Sequence, residues 1–376
     1  MSRHSSLKPS PRSLEVESLA HFDQLVAAGA RSMHGWHVQS LDLQERSAEL
    51  KRLNPQGAIF LGCSFATGMD ESLRSRGALL FPKLGGIDFD PYRGTLYTAG
   101  ELYNGVSEHP YEETLDARVY QWSLRVGQRR SLDATLAAAL HDHAIGDALE
   151  EFVETKTRRG VVGVMGGHSA QRGSDDYAQA AELGRSLAQE GFLVATGGGP
   201  GAMEAANLGA LMSAGPDADL QAALKSLAQV PSFRPSISAW ARAAQNVVNS
   251  VPSPVASLGI PTWFYGHEPP NLFASGIAKY FANSIREAIL LELCTGGIVF
   301  LPGAAGTVQE VFQDACENYY GTPETVRPMV LVGRTYWQNK VPVWQLLSSL
   351  AAGKPMERHV HLVDTVADAV ELLRSK

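Results

Sequence analysis

A glutamate three residues after a threonine, both just past a proline and a glycine, is where side-chain types and spacing in this 376-residue chain first suggest chemistry. The apolar run Gly297-Ile-Val-Phe-Leu301 ends in Pro302 and Gly303, and Gly306 and Thr307 then open an amphipathic run from Val308 to Tyr319. The pattern predicts a buried strand, a tight turn and a helix with Thr307 at its N-cap. Backbone N–H groups at such a terminus, with the helix dipole behind them, accept an anion such as phosphate. Glu310 adds a carboxylate one turn along. A purely structural account fits the same residues, because Thr307-x-x-Glu310 is also a capping box.

Two further stretches repeat the arrangement. Phe192-Leu-Val-Ala195 reads as a strand, and Thr196-Gly-Gly-Gly-Pro-Gly-Ala-Met-Glu204 after it is so rich in glycine that the backbone must approach something closely. Upstream, Val161-Val-Gly-Val-Met165 ends in Gly166 and Gly167. Three apolar strands, each closed by glycines and followed by a helical run, describe the carboxyl edge of a parallel sheet, where open α/β folds bind ligands. The expected binding residues are Gly166, Gly167, Gly198, Gly199, Gly201, Met203, Glu204, Gly303, Gly306 and Thr307.

In order, Val164-x-Gly-Gly167, Tyr177-x-x-Ala-Ala-x-Leu-Gly184, Gly197-Gly-Gly-Pro-Gly-Ala-Met-Glu204, Arg286 and Pro302-Gly-x-x-Gly-Thr-x-x-Glu310 resemble the LONELY GUY (LOG) family. That family is often mislabelled lysine decarboxylase, and its relatives include the nucleotide 5'-monophosphate nucleosidases. The resemblance runs from about residue 158 to the C-terminus. It implies a Rossmann-like nucleotide-binding domain and an AMP-like nucleoside 5'-monophosphate substrate, hydrolysed at its N-glycosidic bond to free base and ribose 5-phosphate. It also implies a homodimer or higher homo-oligomer and no cofactor. Arg286 matches the family arginine that contacts the nucleotide and serves catalysis. Glu287 stands where the family has a lysine, so a phosphate contact from that position is lost. Ala304 stands in place of a glycine, which weakens the cradle if the position needs a positive φ.

Cleaving a C1'–N bond builds positive charge on the sugar. That asks for a carboxylate near C1' to stabilise charge and orient water, and a cation or acid to help the base leave. One helical turn separates Glu310 from the phosphate-binding turn, about the reach from a 5'-phosphate to the ribose. Glu310 is therefore read as the catalytic carboxylate, Arg286 as the positioning cation and Glu204 as a ribose-hydroxyl contact, with no metal required. Asn283 shares a helical stripe with Arg286 and Leu290, and polar groups facing a sheet edge usually meet a ligand or a subunit. The alternative is a non-catalytic carrier of a phosphorylated, nucleotide-like cofactor, as molybdenum-cofactor carriers of similar fold are; it needs the glycine cradles but not Glu310 with Arg286. A pyridoxal-phosphate decarboxylase needs a lysine for its cofactor, and Lys225, Lys279, Lys340 and Lys354 are not at glycine-rich strand ends.

Holding these groups in place falls to residues 151–376, expected to form a doubly wound α/β sheet of about six strands with helices on both faces. Tyr177 to Glu190 shows the spacing of a helix lying on a sheet. In the loop before it, His168 and Arg172 overhang the ligand edge. A helical insertion at about 211–257 contains Leu220 to Ala228 and Ser236 to Asn249, separated by Pro231 and Pro235. Trp240 and Arg242 make it a lid candidate, though Trp240 suits packing equally well. Ala274 to Leu293 reads as one helix carrying Arg286, and strands at Met329 to Val332 and His359 to Val363, each followed by a helix, complete the domain.

Residues 1–13 read as a flexible tail rather than a signal peptide, and 14–150 as a smaller α/β accessory domain. Here Leu14 to Ala30 has helical spacing, Gly57 to Gly62 and Gly77 to Phe81 read as strands, and Met69 to Arg74 as a short helix. The tyrosine-rich stretch from Pro91 to Tyr103 reads as a packed loop with its hydroxyls at the surface, or as a regulatory surface. Ala134 to Val153 is an amphipathic helix; its His141 and His143, two residues apart, point to different faces, so they share no metal and belong at the surface or a cap. A net charge of −7 argues against binding a nucleic-acid polymer but not a mononucleotide. With 44% apolar and 19% charged residues and no membrane-length apolar run, the composition is globular. Three scattered cysteines fit a reducing cytoplasm.

Overall fold

A computed structural model describes residues 14–128, 131–264 and 268–375, so the tail expected at 1–13 lies outside the described residues. They fall into two compact units: those up to Gly94 together with Thr135–Ala144, and Thr95–Ala134 together with the residues from Ile145 onward. Residues 95–134 and 145–150, grouped with the N-terminal part in the sequence reading, thus cluster with the second unit.

The first unit is built on a four-stranded parallel sheet whose strands are neighbours in sequence order. They are β1 (Leu14–Val16), β2 (Trp36–Gln39), β3 (Ile59–Leu61) and β4 (Leu79–Phe81), linked by α1 (Leu19–Ala27), α2 (Ser47–Arg52) and α3 (Met69–Ser75). Val16, Val38, Phe60 and Leu80 stand in register across it, and the first three are completely buried in the unit's core. The helix expected from Leu14 begins only at Leu19, because Ser18 caps it by accepting the His21 N–H, and Leu14–Val16 pairs with Trp36–Val38 instead. His141, expected at the surface or a cap, is fully buried. Its ring stands edge-on to Phe89 at 5.2 Å and its Nδ1 lies 3.2 Å from Asp142. His143 is exposed, as expected.

The second unit starts with α4 (Ala99–Leu102), α5 (Leu115–Gln128) and α6 (Leu132–Lys156), the middle of which belongs to the first unit. It continues β5 (Val161–Met165), α7 (Asp175–Gln189), β6 (Leu193–Thr196), α8 (Ala202–Leu211), α9 (Asp217–Leu227), α10 (Ile237–Ser250), β7 (Ser257–Gly259), β8 (Gly276–Ile277) and α11 (Asn283–Glu292). Then come β9 (Gly297–Phe300), α12 (Ala305–Tyr320), β10 (Met329–Val332), α13 (Val343–Ala351), β11 (Val360–Val363) and α14 (Val366–Arg374). The seven strands are all parallel, in the order β11-β10-β9-β5-β6-β7-β8. Every residue of β5, β6, β9 and β10 is buried, as strands covered on both faces require. This is a Rossmann-like, doubly wound α/β fold. Winding proceeds from β5 through β8 in one direction and from β9 through β11 in the other, so the topological switch lies between β5 and β9.

The seventh strand is β8, at the start of the stretch expected as one helix over Ala274 to Leu293. Ile277 and Tyr97 exchange both backbone hydrogen bonds, and the buried Lys279 ammonium sits 2.5 Å from Asp116, so the chain stays extended until Asn283. The tyrosine-rich segment turns its hydroxyls inward: Tyr103 donates to the Pro270 carbonyl at 2.5 Å within the second unit, and Tyr92 to that of Pro82 at 2.9 Å within the first. Helices α7 and α8 pack backbone to backbone, and a Cβ at Gly184 or Gly209 would run into the carbonyl of Ala206 or Ala181. No helix among the described residues is long and apolar enough to cross a membrane.

Candidate functional site

The carboxyl ends of β5 and β9 meet at the switch point. Gly167 donates its N–H to the Pro302 carbonyl at 3.1 Å, and the Gly303 carbonyl accepts from the Tyr336 hydroxyl at 2.7 Å. A Cβ on Gly303 would meet the Thr307 side chain on one side and the Gly167 nitrogen at 3.1 Å on the other, so only glycine fits. Helix α12 begins at Ala305 with Ala304 as N-cap, three residues before the cap expected at Thr307. Thr307 is buried in the first turn, and no side chain caps the helix, so Glu310 is not spent on a capping box. Small residues allow this. Ala304, Ala305 and Gly306 are exposed and leave the first-turn N–H groups facing outward from a bare helix end. Ala304 has φ −91°, outside the positive range that would need glycine, so alanine is unstrained in φ here.

Helix α11 lies beside α12 and brings in Arg286. Its Nη1 is 4.0 Å from Glu310 Oε1, while Nη2 donates to Asn283 at 2.9 Å and to Glu287 at 3.1 Å. Glu287 also accepts from Asn283 at 2.7 Å and from Gln309 at 2.7 Å. The Glu287 carboxylate therefore neutralises the arginine next to it. Glu310 has a side chain only 17% exposed. Burial pushes its pKa up from 4.5 to about 7, with Arg286 pulling down and Glu287 adding to the rise. Arg286 also reaches the β6–α8 loop, because its Nη1 lies 3.8 Å from where a side chain at Gly197 would begin.

That loop is shaped by Gly198 and Gly201, at φ +72° and +78°. A Cβ at Gly201 would collide with the Gly167 carbonyl and the His168 backbone, and Met203 packs against Gly197 and Gly199. Gly166 meets Ala202 and Leu301 in the same way. Beneath the loop, Thr196 donates to Asn207 Oδ1 at 2.7 Å, Asn271 donates to the same oxygen at 3.0 Å, and the Asn271 backbone N–H bonds the Gly198 carbonyl at 2.8 Å. Asn207 and Asn271 were not singled out from the sequence. Their only sequence signal is an amide in an otherwise small and apolar setting.

Glu204, read as a ribose contact, has a different first partner. The buried Arg172 donates to its Oε1 through Nε at 3.0 Å and through Nη2, and Arg172 Nη1 bonds the Trp240 carbonyl at 3.1 Å. The guanidinium also lies over the Trp240 ring, 4.6 Å from its centroid. Arg172 is thus buried rather than overhanging the edge, and Trp240 is a packing residue that joins the insertion to α8. Arg242 donates to the Val106 carbonyl at 2.6 Å. Among the described residues no cluster of three or more His, Cys, Asp or Glu side chains could hold a metal ion.

Residues 159–218, which span β5, α7, β6, the glycine loop and α8, match the model of the SLOG cluster4 family. The match includes neither Arg286 nor Glu310. No curated protein matches the chain. Similar solved structures include the molybdenum cofactor binding protein of the phototrophic bacterium Rippkaea orientalis, 19% identical over 58% of this chain and 97% of that one, with a TM-score of 0.37. The molybdenum cofactor carrier protein of Chlamydomonas reinhardtii is 21% identical over 58% of this chain and 100% of that one, also with a TM-score of 0.37.

Proposed function

We propose that the second unit is a binding or carrier protein for a phosphorylated, nucleotide-like small molecule, held by its phosphate at the β5/β9 switch. The observation that supports this most is the bare first turn of α12 beside Gly167 and Gly303, where Gly303 has no room for a side chain and backbone N–H groups face outward. Binding without turnover fits the surroundings of Arg286, whose charge is already answered by Glu287. A leaving base would meet a neutralised pair rather than a free cation.

Hydrolysis of the N-glycosidic bond is the second reading, and Glu310 favours it. A carboxyl that exchanges its proton near pH 7, 4.0 Å from an arginine, suits acid–base work. Under either reading the protein acts as a cytoplasmic homo-oligomer, which sedimentation of the full chain tests.

One experiment separates the readings. The protein is titrated by calorimetry with nucleoside 5'-monophosphates, the matching nucleosides and ribose 5-phosphate, and the mixtures are then analysed for free base. Saturable binding that requires the phosphate, with ligand recovered intact, is the expected result. Binding that ignores the phosphate, or no binding, overturns the proposal. Free base released from monophosphates only, and lost in Glu310→Gln, replaces the carrier with a hydrolase.

A further inference from the structure

A cavity of about 350 Å³ lies in the second unit, lined by neither Arg286 nor Glu310. Three segments enclose it: residues 168–171 after β5, the Pro200-Gly201 turn with Glu204, and residues 231–234 of the insertion with Trp240; Glu268 completes the lining. The first segment begins one residue after Gly167, which is itself bonded to the turn that opens α12. The cavity and the phosphate turn therefore share one loop.

The lining has the chemistry of a site for a flat, heteroaromatic ring. Phe233 is half-buried and stands edge-on to Trp240, with ring centroids 6.4 Å apart, and the Arg234 guanidinium lies over one of its faces, 5.6 Å from the centroid, which leaves the other face for a ligand. Trp240 is itself fixed under Arg172, which Glu204 holds, so the buried side of the aromatic wall is set before any ligand arrives. Polar residues line the same space: Ser169, Gln171, Ser232 and Glu268, whose carboxylate lies 3.4 Å from His168 Nδ1. An apolar surface with a few placed donors and acceptors is what ring recognition needs.

We propose that this cavity is the base subsite, with the insertion supplying Phe233 as the surface on which the ring of the ligand stacks. The assignment rests on the phosphate-binding reading above and adds that the ligand carries a heteroaromatic base. It also gives the insertion a purpose beyond packing.

The test compares the affinities of a nucleoside 5'-monophosphate and ribose 5-phosphate for the wild type, Phe233→Ala and Phe233→Tyr. The wild type is expected to favour the nucleotide about tenfold or more, the scale of one base on one aromatic side chain. Phe233→Ala then brings nucleotide affinity down to that of ribose 5-phosphate without changing the latter, and Phe233→Tyr retains the preference. Equal affinities for the two ligands in the wild type would sink the base subsite and leave the phosphate reading intact. Equal weakening of both ligands by Phe233→Ala would also overturn it, by showing that the residue supports the loop rather than the ring. If neither ligand binds the wild type, the phosphate reading itself falls and takes this one with it.

Discussion

The β6–α8 and β9–α12 turns are built to one plan, and they spend their glutamates differently. Each ends a fully buried strand, uses glycine for close approach and places a glutamate early in the following helix. Glu204 and its partner Arg172 each have a side chain about 1% exposed and are joined by two hydrogen bonds to one oxygen. Glu310 sits 4.0 Å from Arg286, outside hydrogen-bonding range, and Arg286 is shared with Asn283 and Glu287. What separates the two carboxyls is whether a cation arrives within hydrogen-bond reach of the buried group. Burial raises the pKa of both carboxyls; at Glu204 the Arg172 guanidinium opposes the rise through direct hydrogen bonds, while at Glu310 Arg286 opposes it only from 4.0 Å.

The largest expected effect breaks the fixed pair. Arg172→Leu leaves a buried carboxylate alone and removes the support of Trp240, so it should cost about 3–5 kcal/mol of stability in urea denaturation. Arg286→Leu leaves Glu310 free to hold its proton and Glu287 still bonded to Asn283 and Gln309, so it should cost clearly less than Arg172→Leu. Equal losses would erase the distinction between the turns. Next comes the cradle. Gly303→Val has no space between Thr307 and Gly167, so binding of any phosphorylated ligand should be lost, at a stability cost of about 1–3 kcal/mol. Retained binding would move the phosphate away from this turn.

Glu287→Gln sharpens the comparison by a smaller amount. It removes the charge that neutralises Arg286 and one cause of the raised pKa of Glu310. Affinity for a phosphorylated ligand should rise by about tenfold, equivalent to about 1.4 kcal/mol. Unchanged affinity would mean that Arg286 faces away from the bound phosphate.

Much of this plan was legible in the sequence. Apolar runs closed by glycine predicted β5, β6 and β9, and their repetition predicted a parallel sheet with a ligand edge. The strand order that makes β5 and β9 neighbours adds the switch point. What was illegible depends on partners distant along the chain. Thr307 is the better cap by residue type, yet α12 starts at Ala305 because Thr307 is buried against Gly303, a case of packing overriding a local preference. Arg172 looked like a loop residue over the edge because nothing nearby announces Glu204 as its partner. Likewise, Gly276–Ile277 is too short to read as a strand, and pairing with Leu258 and Gly259 and with Tyr97, both distant along the chain, holds it extended. His141 looked exposed on its helix because the Phe89 that covers it comes from another segment.

The smallest expected effect is the pH dependence that Glu310 alone should impose. Its pKa is raised in the folded protein, from 4.5 to about 7, so the folded state holds its proton more tightly than the unfolded chain does. The stabilisation linked to that proton is fully present below about pH 4.5 and is lost as pH rises through about 7. A shift of this size sets a ceiling of about 3 kcal/mol. Gln at this position keeps the shape and never ionises, but it forfeits the attraction of Arg286, so the net gain at pH 8 should be nearer about 1 kcal/mol. Thermal unfolding of wild type and Glu310→Gln should therefore diverge with pH: similar midpoints near pH 4.5, and the variant higher at pH 8. Parallel curves across that range would mean that Glu310 does not titrate there, and burial at the β9–α12 turn would then not be what sets its charge.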